Sequence, residues 1–152
     1  MIYTKYILLV LVAFSFCLPS YSQLKYYSSP LGIPLSLSGN FGELRPNHFH
    51  TGLDFCGRVG TEIRSPADGI VVFAGPLTVR GNATIIDHGW GVYTGYMHQS
   101  EILVKPGDKV KAGQIIGKVG GTGRVTGPHL HWEVFVGGVQ VDPQEWLQSI
   151  FP

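Results

Sequence analysis

Cysteine is close to absent: Cys17 and Cys56 are the only two in 152 residues. That count excludes a small fold stapled by several disulfides. Charge is sparse and balanced as well, with 11 basic against 10 acidic residues and no block of one sign. Such a surface carries no electrostatic footprint for nucleic acid or an acidic membrane face. The one long apolar run, Tyr6 to Leu18, falls short of the roughly 20 residues that a spanning helix requires. No His-Glu-x-x-His pair occurs, so a helix-borne zinc protease motif is excluded. Glycine, at 21 residues, and short apolar segments are what the chain has in quantity.

The length fits one domain. Residues 1–22 read as a secretory signal peptide: Lys5 is their only charge, the apolar run follows, and Ser20 and Ser22 place small residues at the −3 and −1 positions of a cut before Gln23. Phe16, directly before Cys17, is bulky where lipid attachment wants a small residue, which disfavours a lipoprotein. The expected product is exported to the periplasm or the extracellular cell wall. It keeps no stable membrane anchor, and with Cys56 alone it can form no internal disulfide. Residues 23–38 form an extended lead-in, interrupted by Pro30 and Pro34, in which Ile33, Leu35 and Leu37 alternate as in an edge strand. Residues 39–152 form the working domain, expected to be a monomer.

Within that domain short apolar or alternating runs end at glycine or proline. They are Thr61–Arg64, Gly69–Ala74, Ala83–Asp87, Val92–Met97, Gln114–Val119, His129–Val136 and Val139–Val141. This spacing predicts an all-β fold, a compact antiparallel sheet or sandwich. One short helix is expected at the C-terminal end, with Asp142 as N-cap, Pro143 at its first position and Trp146, Leu147 and Ile150 as its apolar side. The stretch Val104–Gly117 resembles the hammerhead turns of biotinyl and lipoyl carrier domains, and Gly60–Val71 echoes it. Neither offers a carrier lysine beside methionine at a hairpin tip, so both read as copies of one structural β-element.

The chemistry concentrates in the histidines. His129 and His131 stand at i and i+2 in a strand-forming run, which places both on one face, roughly 6.6 Å apart. Upstream, His50 precedes Asp54 by four residues, and His98 lies between the two clusters. Histidine and aspartate supply the N and O ligands that zinc accepts, commonly three with one position open. A straight strand would hold His50 and Asp54 about 13 Å apart; Gly52 can break the extension and let them converge. Asp54 could instead stand behind His50 and orient it. Spacing leaves both arrangements open.

The ordered set Phe41-Gly42-Glu43-Leu44-Arg45, His50-x-Gly52-x-Asp54, Gly60-Thr61, Ala67-Asp68-Gly69, Asp87-His88-Gly89, Tyr96-Met97-His98 and Thr126-Gly127-Pro128-His129-Leu130-His131 resembles the lysostaphin-type (LytM-like) zinc endopeptidases. The likeness runs from about Ser38 to Pro143. It implies a β-sheet catalytic domain of the duplicated-hybrid-motif type that cuts peptide bonds in bacterial peptidoglycan. It also implies zinc as cofactor, His50, Asp54 and His131 as its ligands, and His98 and His129 as catalytic histidines. Gln99 departs from the family's usual leucine, and Phe55-Cys56 follow the aspartate where ordinary β-formers are common.

Of the remaining candidates, His48 reads as a rim residue, His88 as a structural hydrogen-bonder beside Gly89, and Cys56 as a buried thiol. Trp90, Tyr93 and Tyr96 could wall a peptide groove or pack the core. Glu133 shares the strand face of His129 and His131, one step further away. Two competing readings stand beside the enzyme: a cell-wall-binding or hydrolase-activating module on the same fold, and a cytoplasmic carrier or phosphoryl-transfer domain. The expected signal peptide argues against the second.

Overall fold

The computed structural model describes residues 28–32 and 36–147. The expected signal peptide, Ile33, Leu35 and Ile150 lie outside the described residues. The strands are β1 (Leu37–Gly39), β2 (Leu53–Cys56), β3 (Glu62–Arg64), β4 (Gly69–Leu77), β5 (Gly81–Asp87), β6 (Val92–Ile102), β7 (Lys109–Val110), β8 (Ile115–Val119), β9 (His129–Val136) and β10 (Val139–Val141). They form a 10-stranded sheet whose main path runs β1-β2-β9-β6-β5-β4-β7, with β10 on β9 and β8 bridging β3 to β6. Every strand pair is antiparallel.

The alternation of β9 sorts its residues between two environments. Leu130, Trp132 and Val134 are fully buried and pack with Leu53, Phe55, Tyr96 and Ile116, the rings of Phe55 and Trp132 lying 6.1 Å apart. Fully burying side chains of this size is worth about 1.5–3 kcal/mol each, so the strands bearing the histidines are also those fixed most firmly to the core. The opposite face of β9 carries His129, His131 and Glu133.

The two echoing stretches pair with one another. Ser65 N donates to Gln114 O at 2.9 Å and Gly113 N to Ser65 O at 2.8 Å, while Val71 N donates to Asp108 O at 2.9 Å and Gly107 N to Val71 O at 2.8 Å. They act as a structural clasp. At the C-terminal end α1 (Pro143–Leu147) starts as its sequence predicts, with Asp142 Oδ1 accepting from Gln144 N at 2.9 Å. No helix among the described residues is long and apolar enough to cross a membrane.

The seven expected runs all form strands, and the structure adds three short ones, β1, β2 and β7, besides moving several strand ends. Strand β6 runs on to Ile102, past Met97, by turning through His98, whose φ of 62° lies in the left-handed region. The register of β6 shifts between Gln99 and Glu101 against β8. Such a bulge twists the strand and re-aims a side chain. Gln99, the departure from leucine, supports the bulge: its Nε2 donates to Tyr96 O at 3.0 Å and to Thr84 Oγ1 at 2.9 Å. Cys56 corrects the expectation of a buried thiol, since it is exposed. It has the parity of Asp54, but it ends β2, where that face, covered at Asp54, opens to solvent.

Candidate active site and metal centre

Three adjacent strands build the site. β9 lies between β2 and β6, so His131 stands opposite Asp54 on one side and Met97 on the other, while His129 stands opposite Cys56. His50 precedes β2 in a short hairpin, where its N donates to Glu43 O and its O accepts from Gly42 N, both at 2.8 Å. The chain bends at Gly52, where a Cβ would lie 2.3 Å from Trp132 O. Only glycine lets the hairpin press this close to β9, and the bend brings His50 back over Asp54.

His50 Nε2, Asp54 Oδ1 and His131 Nδ1 converge. The separations are 3.0 Å from His50 to Asp54, 3.0 Å from His50 to His131 and 2.8 Å from His131 to Asp54. His50 Nδ1 lies 2.7 Å from Asn40 O. A carbonyl only accepts, so that nitrogen carries the proton and Nε2 of the neutral ring is a lone pair. His131 Nε2 lies 3.1 Å from Glu133 Oε1, which fixes its proton there and leaves Nδ1 as a lone pair. Two nitrogen lone pairs and a carboxylate oxygen thus face one point, a donor set that could hold a metal ion. Zinc takes this N,N,O donor set, with a further position left open. Asp54 Oδ1 faces both histidines together, which suits a shared ligand point better than a role confined to orienting His50.

The electrostatics agree. Burial alone would raise the Asp54 pKa, but its contacts with His131 and His50, which favour the carboxylate once either ring carries a second proton, outweigh it and hold the carboxyl well below the usual range. Burial alone would lower that of His131, yet its bonds to Asp54 and Glu133 raise it. In the metal-free chain a proton on His131 does part of what the cation would do. The second carboxylate oxygen, Asp54 Oδ2, lies 3.3 Å from Arg45 Nη2, which also reaches Glu43 Oε2 at 3.1 Å. A Cβ at position 39 would lie 2.6 Å from that oxygen and 2.7 Å from Arg45 Nη2, so Gly39 keeps the clamp open.

Glu133 is fully buried behind His131. Its Oε1 accepts from Thr51 Oγ1 at 2.5 Å and pairs with Arg80 Nη1 at 2.5 Å, besides holding His131. Burial would raise its pKa, but the hydrogen bonds from His131, Arg80 and Thr51 lower it. Thr51 and Arg80 escaped the sequence reading. Glu133 was legible there only by its parity on β9.

His98 and His129 face each other beside this centre, ring centroids 4.8 Å apart. His98 Nδ1 donates to Thr122 O at 2.8 Å and His129 Nδ1 to Gly127 O at 2.9 Å. Both neutral rings therefore offer Nε2 as an acceptor, and His129 Nε2 stands 3.7 Å from Asp54 Oδ1. Burial lowers the His98 pKa to about 4; the Thr122 carbonyl works against this, and nearby His129 and His131 add to it. Of the other candidates, His48 is exposed and His88 bonds Asp68 O at 2.8 Å and Thr94 Oγ1 at 2.7 Å. Tyr96 is core and Trp90 stands exposed at the β5–β6 turn.

The profile of Peptidase family M23 matches residues 48–143, a span that holds all five of these positions. The chain belongs to peptidase family M23. Among curated relatives it is 48% identical over 93 residues to peptidoglycan DD-endopeptidase ShyA of Vibrio cholerae, covering 61% of this chain and 22% of that one. It thus spans about a fifth of that relative's length. Among solved structures of the family, the catalytic domain of the antimicrobial peptidase lysostaphin from Staphylococcus simulans matches with a TM-score of 0.70 at 34% identity. That match covers 75% of this chain and 92% of that domain. A zinc-containing peptidase from Vibrio cholerae matches with a TM-score of 0.70 at 35% identity, over 78% of this chain and 37% of that one.

Proposed function

We propose that the chain is a zinc-dependent endopeptidase that hydrolyses peptide bonds in bacterial peptidoglycan, with His50, Asp54 and His131 as metal ligands and His98 and His129 as catalytic residues. The observation that carries this reading is the convergence of three lone pairs on one point, flanked by two histidines whose Nδ1 atoms are tied to backbone carbonyls. The M23 membership, the wall-endopeptidase activity in the name of ShyA and the zinc in the name of a structural neighbour support it.

Zinc held there would lower the pKa of a coordinated water to about 7 and polarise the scissile carbonyl. The chain supplies the proton handling. With Nδ1–H pinned to a backbone carbonyl, each catalytic imidazole presents Nε2 at a fixed angle and can accept a proton from the attacking water. Once protonated, the same N–H can donate to the oxyanion or the departing amine. His98, its pKa lowered to about 4, is neutral at pH 7 and the weaker base of the metal-free site. General acid–base help of this kind is worth about 10²–10⁴ in rate. Arg45 holds Asp54, and Glu133 holds His131, against rotation.

We further propose export with removal of residues 1–22, which places the domain in the periplasm or at the cell wall. N-terminal sequencing of the exported protein should begin at Gln23, and a lipidated Cys17 at the terminus would overturn this. For the activity itself, the zinc-loaded protein is incubated with purified peptidoglycan and new amino termini are identified. Protein carrying one zinc per chain that released none from several wall types would sink the endopeptidase reading.

A further inference from the structure

The face that carries the histidines runs on into an open cleft of about 730 Å³ lined by Cys56, Gly57, Arg58, Thr61 and Pro128. Its position follows from the register. Cys56 pairs with His129, and Pro128 precedes that histidine, so the cleft begins one strand step beyond the Asp54–His131 pair. The loop forming its wall is fixed. Thr61 N donates to Arg58 O at 3.0 Å, Gly60 N to Val119 O at 2.8 Å and Val119 N to Thr61 O at 2.8 Å. A Cβ on Gly57 would meet Val119 Cγ1 and Cγ2 at 3.2 Å. The loop therefore rests directly on β8.

Arg58 is exposed and, among the described residues, has no ion pair and no side-chain hydrogen bond. The chain's other site-flanking arginines are spoken for: Arg45 by Glu43 and Asp54, Arg80 by Glu133. The other lining residues are a cysteine, a glycine, a threonine and a proline, so Arg58 is the one charged residue among those that line this mainly apolar cleft. A peptide laid across His98 and His129 that follows β9 toward Cys56 would reach this face.

We propose that Arg58 is a specificity-determining residue that takes a free carboxylate of the wall peptide beside the bond to be cut. A planar guanidinium matches a carboxylate in two parallel hydrogen bonds, which a neutral amide cannot reproduce. The inference rests on the endopeptidase reading above, and it adds a substrate class: peptides bearing a free carboxylate near the scissile bond, in preference to their amidated forms.

The test uses two synthetic wall peptides that differ only in whether their side-chain carboxylates are free or amidated. The zinc-loaded parent should cleave the free acid with a kcat/KM about tenfold higher, a factor equal to about 1.4 kcal/mol. Arg58→Gln should slow the free acid about tenfold and leave the amidated peptide within about twofold, with Arg58→Lys between the two. Equal rates for both peptides with the parent, or an equal loss on both with Arg58→Gln, would overturn the proposal. If the parent cuts neither peptide, the endopeptidase reading falls, and equilibrium binding of the same peptides still decides the carboxylate site. Tighter binding of the free acid that vanishes in Arg58→Gln supports it. Equal binding of the two peptides refutes it.

Discussion

Glu133 Oε1 accepts a hydrogen bond from His131 Nε2 at 3.1 Å, on the edge of the ring opposite Asp54. The carboxylate fixes which nitrogen carries the proton and turns Nδ1 toward Asp54 and His50, and in the proposed metal site it would raise the basicity of His131 as a ligand. It is itself fixed by Thr51 and Arg80, so the orientation of His131 is set through a chain of buried contacts.

The first prediction follows from that chain. Glu133→Gln keeps the volume and an acceptor but loses the charge, and zinc affinity should fall about 10–100-fold, the usual cost of removing such a partner. Competition against a chromophoric chelator measures it. An unchanged affinity would show that Glu133 serves only the fold.

Metal content should sort the histidines. Alanine at His50, Asp54 or His131 removes one of three converging donors and should abolish stoichiometric zinc, whereas alanine at His98 or His129 should leave it intact. Zinc per chain, by elemental analysis of each purified variant, decides. Loss of zinc in His129→Ala with retention in His131→Ala would reverse the assignment within the β9 pair.

The pH dependence of stability in the metal-free chain has a definite sign. His98 has its pKa lowered to about 4, and burial lowers that of His88. Between about pH 4.5 and 6.5 the unfolded chain therefore binds more protons than the folded one, and stability rises with pH. The His98 contribution is present above pH 6.5 and is lost as pH falls toward 4, a change of at most about 3 kcal/mol. His131 acts the other way, because its pKa is raised: its contribution is present below pH 6.5 and is lost as pH climbs through its folded value. Urea unfolding in chelator should thus peak near pH 6.5. His98→Asn, which tolerates a left-handed φ, should flatten the acid limb. An unchanged limb in that variant would refute the assignment.

How far the site was legible in the sequence depends on where each part is encoded. His129, His131 and their face were readable because a strand alternates strictly, and the flanking Leu130 and Trp132 announce the core side. The order of the motifs pointed to His50, Asp54 and His98. What spacing alone left open was whether Asp54 ligates or supports, since that depends on a bend at Gly52 whose cause is a contact with Trp132 O, 80 residues away in the chain. The positive φ of His98 has only a weak signal in its residue type, since histidine is among the few non-glycine residues enriched there. The carbonyls of Thr122 and Gly127 that fix the tautomers of His98 and His129 are backbone atoms, which any residue supplies. Arg80 reaches Glu133 across strands, and its partner could not be read from a local pattern. Cys56 was misplaced because parity shows which residues share a face, and not whether that face is covered.

The last prediction separates an enzyme from a wall-binding module. His98→Ala and His129→Ala should stay folded and zinc-loaded, because neither ring donates to the converging triad and each is held by a single backbone carbonyl. The catalytic loss should nonetheless be at least about a hundredfold, the lower range for a missing general acid or base. It should appear in kcat with KM little changed, since proton transfer rather than substrate binding is removed. The double variant should be slower than either single one by less than the product of the two losses if both rings act on one proton transfer. A binding module makes the opposite forecast: no hydrolysis by the parent, and unchanged affinity for peptidoglycan in both variants. Sedimentation with purified walls, run beside the assay for new amino termini, reads both quantities on the same preparations. Retained hydrolysis in both single variants would show that the metal centre alone suffices, and would remove His98 and His129 from the mechanism.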